Sequence, residues 1–192
     1  MCKRGSLSKY WMIVVFSVAL SIGLNNILLI IDLEKYSEAY RKASGIIYAL
    51  PFSYQILYTG ILVPILEELI FRLLIFKVLR KWIPFVWAML ISAFLFGLYH
   101  GNLVQFVYAS LCGLFLAYVY ETYGSLLAPI IAHMVMNIVV CAMAKIGGFT
   151  WIFEGVARTI VVTVVCVVLA VLSVLGMPEN GCYKNVKKIL QR

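Results

Sequence analysis

Apolar runs of about twenty residues, broken by short polar stretches, follow one another through most of this 192-residue chain. A run of that length needs a hydrocarbon bilayer or the interior of a very large protein around it, and a chain this short cannot supply the second. Hydrophobic residues make up 64% of the sequence and charged residues 12%. A soluble domain has roughly half and a quarter. Inside a bilayer every backbone N–H and C=O must be satisfied within its own segment, which selects α-helices. The runs therefore predict an all-α polytopic membrane protein of roughly six transmembrane helices. They lie near residues 10–31, 46–76, 84–99, 103–120, 125–144 and 151–177. The second and last are long enough to be tilted or kinked. The whole chain, 1–192, reads as a single domain without a soluble appendage.

The net charge of +8 could suggest nucleic acid, but its positions argue otherwise. Lysines and arginines gather at helix ends: Lys3, Arg4 and Lys9, then Lys77, Arg80 and Lys81, then Lys184, Lys187, Lys188 and Arg192. With six spans these clusters share one side, which the positive-inside rule makes cytoplasmic. The expectation is an integral protein of the plasma (cell) membrane with both termini in the cytoplasm, although Lys35, Arg41 and Lys42 load the opposing loop. Trp11, Trp82, Tyr123, Trp151 and Tyr183 fall near span ends, where aromatic belts sit. The start, Met1-Cys2-Lys3-Arg4, resembles a signal-peptide n-region, but the run after it is too long and lacks a cleavage pattern, so an uncleaved first helix is expected.

Cys2, Cys112, Cys141, Cys166 and Cys182 are scattered and form no CxxC pair, which argues against a disulfide framework or a thiolate metal site. The polar stretch 32–45 carries Leu33, Tyr36 and Tyr40 at helical spacing and Glu38 four before Lys42. It reads as a short amphipathic helix on the membrane surface or as a solvated loop. Among Pro51, Pro64, Pro84, Pro129 and Pro178, two stand close to polar residues: Pro64 before Glu67 and Pro129 before His133. Each is expected to kink its helix and free a carbonyl for a neighbour or water.

Ionisable groups inside such runs cost on the order of 2.5–3.5 kcal/mol each at a helix centre. This chain carries Glu67, Glu68, Arg72 and both of its histidines, His100 and His133, in that position. Glu68 and Arg72 are four apart with the acid first, so they can pair along one helix, while Glu67 points to another face. Glu67 is thus free to face a cavity and accept a proton from water. Phe96 can wall the His100 ring, and His133 and Asn137, one turn apart, can direct two donors at one oxygen. Ser92, Ser110 and Cys112 have no histidine at a telling interval and suit helix packing, as do Gly97, Gly101 and Gly113. A proton relay, carrier or immunity-type membrane protein would use similar charges, but strung through the bilayer. Here they fall in three compact motifs, with no inverted repeat.

Those motifs, Glu67-Glu68-x-x-x-Arg72, Phe96-x-x-x-His100 and His133-x-x-x-Asn137, resemble the signature of the CPBP family, the CAAX-protease and bacteriocin-processing intramembrane proteases also called the Abi family. The stretch 120–133 leading into His133 is also similar, with Tyr123 as a departure, and the resemblance covers about 61–140. It implies an intramembrane endopeptidase acting on a peptide or a prenylated or leader-type protein within the lipid bilayer. Glu67 with His100 would activate water, His133 and Asn137 would hold the oxyanion, and Glu68, Arg72 and Phe96 would be structural or orient the substrate. No cofactor is then required. An older view of the family makes it a zinc metalloprotease, for which Glu67, His100 and His133 would be the ligands.

Overall fold

A computed structural model describes residues 10–177. Cys2, Lys3, Arg4, Lys9, Pro178, Cys182, Tyr183, Lys184, Lys187, Lys188 and Arg192 lie outside the described residues. Within them the chain is helical and holds no strand. Helix α1 is Tyr10–Ile30, a 3₁₀ turn covers Leu33–Tyr36, and α2 is Glu38–Ala49. A continuous helical rod, α3, occupies residues 52–79. It is followed by α4 (Phe85–Tyr99), α5 (Leu103–Tyr123), α6 (Leu127–Lys145), α7 (Gly148–Phe153) and α8 (Val156–Gly176). By length and composition α1, α5, α6 and α8 can each cross a membrane, while α4 is a shorter apolar helix. The architecture is all-α and polytopic. Four spans meet that criterion among the described residues, so a count of six is not established.

Two of the apolar runs divide differently from their hydropathy. Residues 46–49 end α2 rather than begin the next span, because Leu50 and Pro51 are extended (ψ 152° and 141°). Proline forces that conformation on the residue before it. The last run breaks at Glu154 and Gly155, giving α7 and α8. The polar stretch is a helix and not a loop: Ser37 caps α2, its hydroxyl accepting from the Tyr40 N–H, and Glu38 pairs with Lys42 at 2.8 Å.

The rod alternates between two hydrogen-bonding registers. Gln55–Leu62 and Leu69–Phe76 are π-helical, with Val63 N–H reaching Tyr58 O and Lys77 N–H reaching Arg72 O, and Val63–Glu68 between them is α-helical. Pro64 follows the first π stretch and has no N–H to give Thr59, its partner in the five-residue register. The Asn137 side chain fills that vacancy, donating Nδ2 to Thr59 O at 2.8 Å. Pro129 behaves otherwise. It is the third residue of α6, where an N–H has no intrahelical partner in any case, so it starts a helix and frees no interior carbonyl.

Helix α1 lies against α8, α6 and α5, and α4 packs along α5. The α4–α5 contact is close because of two glycines. A Cβ on Gly97 would sit 2.6 Å from Phe106 O, and one on Gly113 3.0 Å from Ala93 Cα. Gly101 is different: nothing approaches within 4 Å, and its φ of +68° makes it a turn residue. In the core Phe16 stacks on Phe115 at 3.8 Å, and Tyr10 meets Tyr123 edge-on at 5.1 Å. Tyr123 is therefore fully buried and not at a membrane-facing belt, whereas Trp11, Trp82 and Trp151 are exposed. Cys112, Cys141 and Cys166 are free and buried.

Candidate active site

The α-helical turn between the two π stretches presents Glu67 and Glu68 on different sides of the rod. Glu68 and Arg72 are both fully buried, and Arg72 Nε stands 3.0 Å from Glu68 Oε2. Arg72 Nη2 donates to Gly113 O at 3.2 Å, and its guanidinium lies 4.8 Å from the Phe96 ring centre. The other oxygen of Glu68 meets His133 Nδ1 at 2.9 Å. His133 Nε2 in turn faces Glu67 Oε2 at 3.6 Å, an ion-pair distance longer than a hydrogen bond. Arg72, Glu68, His133 and Glu67 thus form one chain of charge joining α3 to α6.

His100 closes α4 one turn after Phe96. Its Nδ1 lies 2.9 Å from Phe96 O, an acceptor, so Nδ1 carries the proton and Nε2 keeps its lone pair. The ring meets Phe96 edge-on at 5.1 Å, as the spacing predicts, and Phe96 also abuts His133 at 5.6 Å. The turn after His100 is tied by Asn102, whose Nδ2 donates to His100 O at 3.1 Å and whose Oδ1 accepts from Gln105 N–H at 2.9 Å. Asn102 Nδ2 also donates to Gln105 Oε1. Ser92 Oγ donates to Phe71 O, the packing role its position suggests.

A cavity of about 420 Å³ brings Glu67, Phe96, His100, His133 and Asn137 to one space. Its wall continues over Tyr40, Ala43, Ile47 and Tyr48 of α2, Tyr58 and Thr59 of α3, and Gln105 and Tyr108 of α5. The convergence of His133 and Asn137 on one oxygen is not formed here: His133 has a carboxylate at each nitrogen and Asn137 holds Thr59 O. The alternative zinc ligands Glu67, His100 and His133 line this cavity without converging on one point. Among the described residues no three His, Cys, Asp or Glu side chains are grouped to share a metal ion. As placed, these side chains do not fit a zinc site. Sequence reasoning missed Thr59, Gln105 and the lining face of α2. Only Gln105 left a trace in the sequence, as the third residue after a capping Asn.

Residues 49–139 match the family model described as Rce1-like, type II CAAX prenyl endopeptidase. The chain is also 34% identical over 140 residues to the "Putative membrane peptidase YdiL" of Bacillus subtilis (strain 168), a match covering 71% of this chain. It spans 57% of that relative's length. No solved structure matches the chain significantly.

Proposed function

The chain belongs to the CPBP, or CAAX-protease, family through its Rce1-like residues 49–139, and on that footing we propose that it is an intramembrane endopeptidase using a water activated by Glu67. The observation that carries this reading is the shared cavity of Glu67, His100, His133 and Asn137. Water between Glu67 and His100 gives its proton to the Glu67 carboxylate while Nε2 of His100 orients it by accepting a second hydrogen bond. Its oxygen adds to the scissile carbonyl. The oxyanion so formed is held by Nε2 of His133 and by the amide of Asn137. Glu67 returns the proton to the leaving nitrogen as the C–N bond breaks. The substrate is a peptide or a prenylated or leader-type protein entering from the bilayer, and the protein sits in the plasma membrane with cytoplasmic termini.

The test is cleavage of a peptide library by the purified protein in detergent. Glu67→Gln removes proton acceptance from an isosteric side chain, so hydrolysis should vanish while the thermal midpoint stays at the parent value. Parental turnover by that variant would exclude Glu67 as the base. Exhaustive chelation should leave wild-type turnover unchanged. Activity lost to chelator and restored by zinc would replace the metal-free route with a zinc-dependent one.

A further inference from the structure

We infer that Glu68 is a positioning residue that fixes which nitrogen of His133 carries the proton. This role in turnover rests on the peptidase reading, while the proton's location can be measured without it. Glu68 is buried between a charge partner and a donor: the Arg72 guanidinium forms an ion pair with Oε2 at 3.0 Å, without the alignment of a hydrogen bond, and His133 Nδ1 donates to Oε1 at 2.9 Å. A carboxylate paired with an arginine serves His133 as an acceptor only. Nδ1 of His133 is therefore a protonated nitrogen, and whenever the ring is neutral it is Nε2, 3.6 Å from Glu67, that holds the lone pair.

That arrangement changes how His133 can serve the reaction. Its cavity-side nitrogen cannot stabilise an oxyanion until it gains a proton, and Glu67 stands beside it. The proton that leaves water as its oxygen bonds to the carbonyl carbon goes to Glu67 and on to Nε2 of His133. There it hydrogen-bonds to the oxyanion, and it returns through Glu67 to the amine nitrogen when the C–N bond breaks. Proton and oxygen both balance, with no further reactant.

Glu68→Gln is a sharp probe because an amide has one accepting and one donating end. Arg72 offers only donors, so the amide oxygen must turn to Arg72 and its NH₂ to His133 Nδ1. Nδ1 then has to accept, which drives the proton to Nε2 and inverts the tautomer. The chain has two histidines, so a ¹⁵N-histidine NMR spectrum in detergent contains two rings, separated by the variant His100→Asn. The wild type should show His133 protonated at Nδ1 and bare at Nε2, and Glu68→Gln the reverse. In Glu68→Gln, Nε2 already bears a proton and meets the oxyanion as a neutral ring, without the charge that proton uptake from Glu67 would give it, so turnover should fall on the order of ten- to a hundredfold with KM little changed. A bare Nδ1 in wild-type His133, or the same tautomer in both proteins, would overturn the inference. Because the wild-type spectrum decides the first point, the test does not depend on the variant folding. A wild type that cleaves no peptide but shows the stated tautomers would sink the peptidase reading and leave the positioning geometry standing. An inverted tautomer with parental turnover would deny Glu68 any part in catalysis.

Discussion

Arg72 meets Glu68, the Gly113 carbonyl and the face of Phe96 from one buried position, tying α3 to both α4 and α5. Its loss leaves a carboxylate stranded where no water can reach it. Arg72→Ala should therefore lower stability by about 3–5 kcal/mol, read as a drop in thermal midpoint or in resistance to proteolysis in detergent. Parental stability would show that Glu68 takes up its proton and needs no arginine. At this scale the sequence was informative wherever two partners share a helix. Glu68 with Arg72 and Phe96 with His100 are four apart, and the helix itself brings them together. His133 lies 65 residues from Glu68. Nothing local says that one imidazole bridges both carboxylates, nor that Asn137 serves the carbonyl that Pro64 leaves open, because both facts depend on the packing of α6 against α3.

Helix α3 gains its α-helical turn at Glu67 and Glu68 from the register change on either side, and Pro64 favours that change by withholding an N–H from Thr59. Pro64→Ala supplies the missing donor, which competes with Asn137 for Thr59 O. The expected result is stability no lower than the parent, since a proline inside a helix is unfavourable, with turnover reduced on the order of tenfold as Asn137 loses its anchor. Unchanged turnover would mean that the Asn137–Thr59 bond does not matter to the site. Along α4 and α5 the glycines set the distance. Gly97→Ala places a methyl against the Phe106 carbonyl, which is backbone and cannot rotate away. It should destabilise by about 1–3 kcal/mol, whereas Gly45→Ala, with nothing within 4 Å, should be neutral or better by thermal denaturation. Element ends were legible where a proline or a capping Ser marks them, as at Ser37. They were misjudged where hydropathy continued across a break: isoleucines 46 and 47 belong to α2, and Glu154-Gly155 divides an otherwise apolar run. Pro129 suggests a kink from its sequence neighbours alone, because composition does not reveal its place within the first turn of α6.

Across the whole molecule the cavity draws walls from α1 through α6, and its α2 side could not be read from sequence, because an amphipathic helix does not reveal which surface it covers. The all-α, membrane-embedded class was plain from the apolar runs, since a bilayer leaves the backbone so few options. One consequence of the Arg72–Glu68–His133 chain lies in the order of synthesis. The ribosome delivers Glu67, Glu68 and Arg72 well before Gly113, and His133 later still. Glu68 and Arg72 can pair along their own helix, but Glu67, whose charge at a helix centre opposes partition into lipid by about 2.5–3.5 kcal/mol, finds its partner only on α6, and the pair's remaining polar atoms wait for Gly113 and His133. Residues 52–79 should therefore settle in the bilayer only after α5 and α6 have followed. In a translocon assay with engineered glycosylation acceptors, a nascent chain ending at residue 102 should insert this segment incompletely, and one extended past Lys145 should insert it fully. Equal insertion at both lengths would mean that the rod is hydrophobic enough to enter unaided. If it waits, the charges that organise the site also time the assembly of the protein, holding its central helix at the membrane's threshold until the helices it needs have been made.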